Sequence, residues 1–110
     1  MASSARWKMA RYKVIVADRA RKMIGVHVKF IAQVNRSAAR ETQKRLLAAI
    51  RSLAEMPERF PFLDVDFVPR NKYHKMFVEN WYIVLYQIKD NMVYVDYIVD
   101  CRQDYSWLIR

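Results

Sequence analysis

All three prolines of the chain fall between residues 57 and 69, and they divide it into two parts that obey different rules. Proline inside a helix or a paired strand removes a backbone hydrogen bond, so this window is a break in regular structure. Before it, apolar residues recur at helical spacing. After it, they run as short strands separated by turn residues.

Ahead of the break, Ala20, Met23, Ile24, His27, Phe30, Ile31 and Val34 fall on one face of a helix, with Arg21, Lys22 and Lys29 on the other. Asp18 stands where an N-cap is expected, and Gly25 weakens the segment slightly. Ser37 is expected to cap a second helix with Ala39, Leu46, Ile50 and Leu53 as its stripe, Leu47 and Ala54 beside it, and Arg40, Lys44, Arg51 and Glu55 outward. That helix must stop by Met56, because the residue before Pro57 avoids helical geometry. The short link makes the two helices an antiparallel hairpin. A β-branched strand, Arg11 to Ala17, precedes them.

Beyond the break, strands are expected at Tyr73 to Val78, Trp81 to Lys89 and Met92 to Asp100. Glu79-Asn80 and Asp90-Asn91 form tight turns between them, since Asn and Asp tolerate left-handed geometry. The middle strand is apolar on both faces, which suits a central strand covered from two sides. Residues Arg102 to Arg110 form a short helix or a final edge segment. The order predicts an α+β fold, β-α-α-β-β-β, with the helical hairpin packed on a mainly antiparallel four-stranded sheet. At 110 residues the expectation is one domain, 11–110, preceded by a flexible basic segment, 1–10.

Charge is the feature that bears on function. Twenty Lys and Arg against eleven Asp and Glu give +9, and a domain this basic meets a polyanion or an acidic protein partner. The lone Cys101 excludes a disulfide within the chain and fits a reducing cytoplasm. No apolar run approaches the roughly 20 residues of a membrane helix, and residues 1–10 lack the apolar core of a signal peptide. Two histidines and one cysteine give no expected metal site. His27, centred on the apolar helix face, reads as a hydrogen-bonded core histidine; Trp81, Tyr86 and Trp107 read as packing residues.

Three stretches carry a resemblance. The run Ala54-Glu55-Met56-Pro57-Glu58-Arg59-Phe60-Pro61 closes the hairpin, and Arg70-Asn71-Lys72-Tyr73-His74-Lys75-Met76-Phe77-Val78 opens the strands. Tyr82-Ile83-Val84-Leu85-Tyr86-Gln87-Ile88 follows, with the last strand running into Asp100-Cys101-Arg102-Gln103-Asp104-Tyr105. In their order, over residues 11–109, they resemble the RelE/ParE family of bacterial type II toxins. The resemblance implies a cognate antitoxin, acidic in a segment that folds on binding, and contact with DNA only indirectly through that antitoxin. It implies no cofactor, a cytoplasmic protein, and no membrane.

The family divides by target. RelE-like members cleave messenger RNA on the ribosome without a metal, which needs a base for the ribose hydroxyl, cations for the phosphate and an acid for the leaving oxygen. By the same resemblance the catalytic candidates are Lys72, His74, Lys75, Arg102 and Tyr105, and Arg70, Lys72 and Lys75 are candidates for binding RNA or antitoxin carboxylates. Of these residue types histidine has the unperturbed pKa nearest neutrality, but strand alternation puts His74 on the face opposite Tyr73 and Lys75. Nuclease members read Tyr-Arg where this chain reads Tyr82-Ile83, so a phosphate contact is missing. ParE-like members poison DNA gyrase and lack nuclease side chains. The sequence therefore expects a growth-inhibiting toxin cutting mRNA on the ribosome, a DNA gyrase poison, or an inactive antitoxin-binding module.

Overall fold

A computed structural model describes residues 11–100 apart from Phe67 and Asn80. The expected lead-in 1–10 and terminal element 102–110 lie outside the described residues. Within them run β1 (Lys13–Val16), α1 (Asp18–Ala32), α2 (Arg36–Arg51), β2 (His74–Val78), β3 (Tyr82–Lys89) and β4 (Met92–Asp100), with 3-10 turns at Ser52–Ala54 and Pro57–Arg59. The sheet order is β1-β4-β3-β2. Only β1 and β4 are parallel, Lys13 lying opposite Met92 and Val16 opposite Val95. The fold is the expected α+β arrangement, with both helices on one sheet face.

Helix ends differ in detail from expectation. The cap position of α1 is Ala17, so Asp18 is its first helical residue, where a carboxylate still favours the helix dipole. Asn35, not Ser37, caps α2, its Oδ1 accepting from the Ala38 amide at 2.9 Å. That helix ends at Arg51 rather than running to Met56. Arg59 closes the end, donating to the carbonyls of Glu55 and, at 3.1 Å, Met56, and to Ser52 Oγ at 3.1 Å. These contacts hold together the two 3-10 turns that follow the helix.

The sheet separates two cores. On the inner face, toward the helices, Leu46, Ile50, Leu53, Val84, Tyr86, Val93 and Ile98 are buried together. His27 joins this core and its Nε2 donates to the Ile98 carbonyl at 2.9 Å, as a core histidine should. On the outer face Tyr73, Leu85, Tyr97 and Val99 are covered by Leu63, Val65 and Val68 of the proline-rich segment. That second cover explains a middle strand apolar on both sides. Between β3 and β4 the register slips, Leu85 facing Tyr97 but Tyr86 facing Val95. Asp96 is the extra residue of a bulge, a device that re-aims side chains. The turn residues Glu79 and Asp90 take positive φ, 58° and 57°.

Candidate functional site

Of the residues the sequence nominated, strand β2 carries His74 and Lys75, and the sheet parts them. His74 lies on the inner side, 7% exposed, with its ring stacked on Tyr86 (5.2 Å, 16°) and against Phe62 (4.1 Å, 30°). Its Nδ1 lies 2.7 Å from the Phe60 carbonyl; a carbonyl only accepts, so Nδ1 carries the proton. It is thus a buried histidine on the sheet face opposite the Lys75 side chain. Lys75 is half-buried on the outer side, opposite Leu85, its amide donating to Pro61 O at 2.9 Å. Lys72 is exposed with its ammonium 5.4 Å from the Tyr73 ring, and Arg70 is exposed in the turn before it. Arg102 and Tyr105 lie outside the described residues.

The outer floor near the lysines is apolar and acidic. Ile83, at the position of the missing arginine, packs against the outer core beside Phe77, which is itself exposed. At the bulge the buried Asp96 carboxylate accepts from Gln87 Nε2 at 2.7 Å and bonds the Tyr73 hydroxyl. Burial first, and the Asp96 charge second, raise Tyr73 well above the ordinary phenol range. Burial does the same for Tyr86, whose hydroxyl donates to Pro57 O at 2.5 Å. Both therefore stay protonated near neutrality, and neither is a general base. Among the described residues, no three His, Cys, Asp or Glu side chains gather as a metal site, and no helix is long and apolar enough to cross a membrane.

A second site was not legible in the sequence. Phe30 and Val34, placed on the buried face of α1 by periodicity, are 69% and 89% exposed, and Val26 is exposed with them. The sheet covers only the narrower sector of Ala20, Ile24 and His27, and the apolar arc of α1 is wider than that. Trp81, expected to be a packing residue, is 48% exposed. Phe30, Ile31, Val34, Ala38, Thr42 and Trp81 line a groove of about 420 Å³ between the helix link and the β2–β3 turn. At its mouth Arg45 is paired with Glu79 at 2.6 Å, tying α2 to that turn. A contiguous exposed apolar surface of this kind marks an interaction site. The breadth of the arc, six apolar side chains and His27 on one face, was the available signal.

Comparison with known proteins places this architecture. A family model described as the ParE toxin of the parDE type II toxin-antitoxin system matches residues 14–105. Among solved structures, a chain of the chromosomal ParDE TA system from P. aeruginosa is similar with a TM-score of 0.68 and 8% identity. The match covers 83% of this chain and 97% of that chain; at that identity the likeness is one of fold alone. No curated protein matches the chain.

Proposed function

The chain belongs to the ParE toxin family of type II toxin-antitoxin systems, and from that premise we propose that it inhibits growth by poisoning DNA gyrase rather than by cutting RNA. One observation carries the choice. His74, the sole histidine among the described strands, faces the inner core and donates to Phe60 O, on the opposite side of the sheet from Lys75. Among the described residues, a phosphodiester bound near Lys72 and Lys75 meets an apolar floor and the buried Asp96 carboxylate, with Arg19 beyond them over the Tyr97 ring. Among the described residues such a floor supplies no exposed base, since Asp96 is buried and bonded to Gln87, and little of the dense positive charge that a phosphorane-like transition state needs. Inhibition by contact with a protein target has no such requirement.

Induced expression in a bacterium, with mRNA ends mapped alongside a gyrase-dependent DNA-break assay, tests this. The expected result is DNA breaks with intact messages, unchanged in a Lys72→Ala, Lys75→Ala double variant. Cuts within translated codons that disappear in that variant would overturn it in favour of the ribosome-dependent nuclease. A chain with no effect on growth would leave the inactive antitoxin-binding module.

The groove beside Trp81 suits the antitoxin. An acidic amphipathic segment that folds on binding would bury apolar residues on Phe30 and Val34 and set its carboxylates among the cations of the hairpin. That combination supplies both the apolar centre and the charged rim of a specific interface.

A further inference from the structure

The charge of the chain is concentrated in one layer. Residues 18 to 51, the helical hairpin, hold nine Lys and Arg against two acids, whereas residues 52 to 100 hold five against eight. Within the hairpin the densest row is on α2. Arg36, Arg40 and Lys44 follow at four-residue spacing with Arg51 two turns beyond, so all four project from one side of the helix. All are exposed, and none belongs to the ion pairs found among the described residues, Arg11–Glu55, Arg21–Asp18 and Arg45–Glu79. Arg40 and Lys44 flank a shallow hollow with Ser37, Gln43 and Glu41, the single acid of the helix.

This row works against its own helix. Like charges four residues apart repel. Arg36 occupies the first turn, which holds no acid and where the helix dipole disfavours a cation. Local rules are broken in this way at sites of function. We propose that this side of α2 is a docking surface for the phosphate backbone of duplex DNA.

The shape and chemistry favour the duplex over other polyanions. From Arg36 to Arg51 the row extends about 22 Å along the helix axis at 1.5 Å per residue, long enough to cross a major groove about 12 Å wide and reach phosphates on both walls. Duplex DNA offers a charge about every 1.7 Å of its axis, and guanidinium forks match phosphate oxygens. A protein interface needs an apolar centre, and the large exposed apolar side chains of the hairpin, Val26, Phe30 and Val34, belong to α1 and the helix link rather than to α2. Single strands are gripped by aromatic platforms, and α2 holds no aromatic residue. The groove residues Ala38 and Thr42 project from another side of α2, so an antitoxin in the groove leaves the row open. The surface stands apart from the choice of target made above, and it brings DNA to the toxin directly rather than through the antitoxin alone.

The test is binding of the full chain to a fluorescent duplex of arbitrary sequence, titrated at several salt concentrations. Four phosphate contacts predict a log–log slope of about −3.6. Arg40→Ala with Lys44→Ala should weaken binding about tenfold at low salt and flatten the slope by about 2. The charge-matched control, Lys22→Ala with Lys29→Ala on α1, should change the slope far less, and circular dichroism of both variants should match the parent. Equal losses in the two double variants would reduce the effect to bulk charge and overturn the proposal. So would tighter binding of a single-stranded RNA of the same length, or of polyglutamate, which would assign the row to RNA or to an acidic protein.

Discussion

Replacing His74 with phenylalanine separates packing from chemistry. Phenylalanine keeps a flat ring between Phe62 and Tyr86, so the ring contacts at 4.1 and 5.2 Å persist, each worth roughly 0.5–1.5 kcal/mol. What disappears is the 2.7 Å bond from Nδ1 to Phe60 O. That carbonyl then sits beside an apolar edge without its donor, which costs about 1–3 kcal/mol. For a domain of 110 residues, each kcal/mol lowers the melting midpoint by about 4 °C. Calorimetry should therefore record a fall of about 4–12 °C. Growth inhibition on induction, scored well below the new midpoint, should persist. An unchanged midpoint with toxicity abolished would refute the argument and return His74 to the chemistry. An unchanged midpoint with toxicity intact would mean that the Phe60 bond contributes nothing.

Two further outcomes follow from the same structure. Tyr73 and Tyr86 hold their protons more tightly folded than unfolded, so their contribution is complete below about pH 10, where both states are protonated. It is lost as pH rises further and only the unfolded chain deprotonates, by about 1.4 kcal/mol per pH unit for each tyrosine. Urea midpoints against pH should show the decline, and Tyr86→Phe should halve its slope; an equal slope in the variant would refute the assignment. At the groove, Phe30→Glu sets a carboxylate among residues meant to meet an acidic apolar segment. Calorimetric titration with the cognate antitoxin should show at least tenfold weaker binding with the melting midpoint unchanged, and undiminished affinity would move the antitoxin elsewhere.

The parts of the fold that were legible are those where one local rule dominates. The stripe Ala39, Leu46, Ile50 and Leu53 is buried as its period required, and Asp90 takes the left-handed turn its type allows. The caps slipped because Asn35 and Ser37 are both good capping residues, and only the path of the helix link decides between them. Phe30 and Val34 misled because periodicity reports which residues share a face, not how far the sheet reaches beneath it. The Asp96 bulge leaves no mark in the alternation of β4. For the site, the opposition of His74 to Lys75 was readable from strand alternation alone. Its seat between Phe62 and Tyr86 was not, since it depends on Phe62 being bridged to His74 across the edge of the sheet. The run Ala54 to Pro61, which carried the resemblance, serves structure: Arg59 braces the turns after the helix, and Pro57 O and Phe60 O receive Tyr86 and His74.

The parallel pairing of β1 with β4 sets the order in which the protein comes into being. Lys13 must wait for Met92, seventy-nine residues later, which at 5–20 residues per second of translation is roughly 4–16 s. Until then the helical hairpin has left the ribosome with its apolar side uncovered, and neither β1 nor β3 has its shared neighbour. Closing so long a loop is repaid only when β4 inserts between them. A stop codon or frameshift anywhere ahead of β4 therefore yields no partly active toxin. It removes the middle of the sheet, and a cell escaping this protein can do so by damage at almost any point along its reading frame.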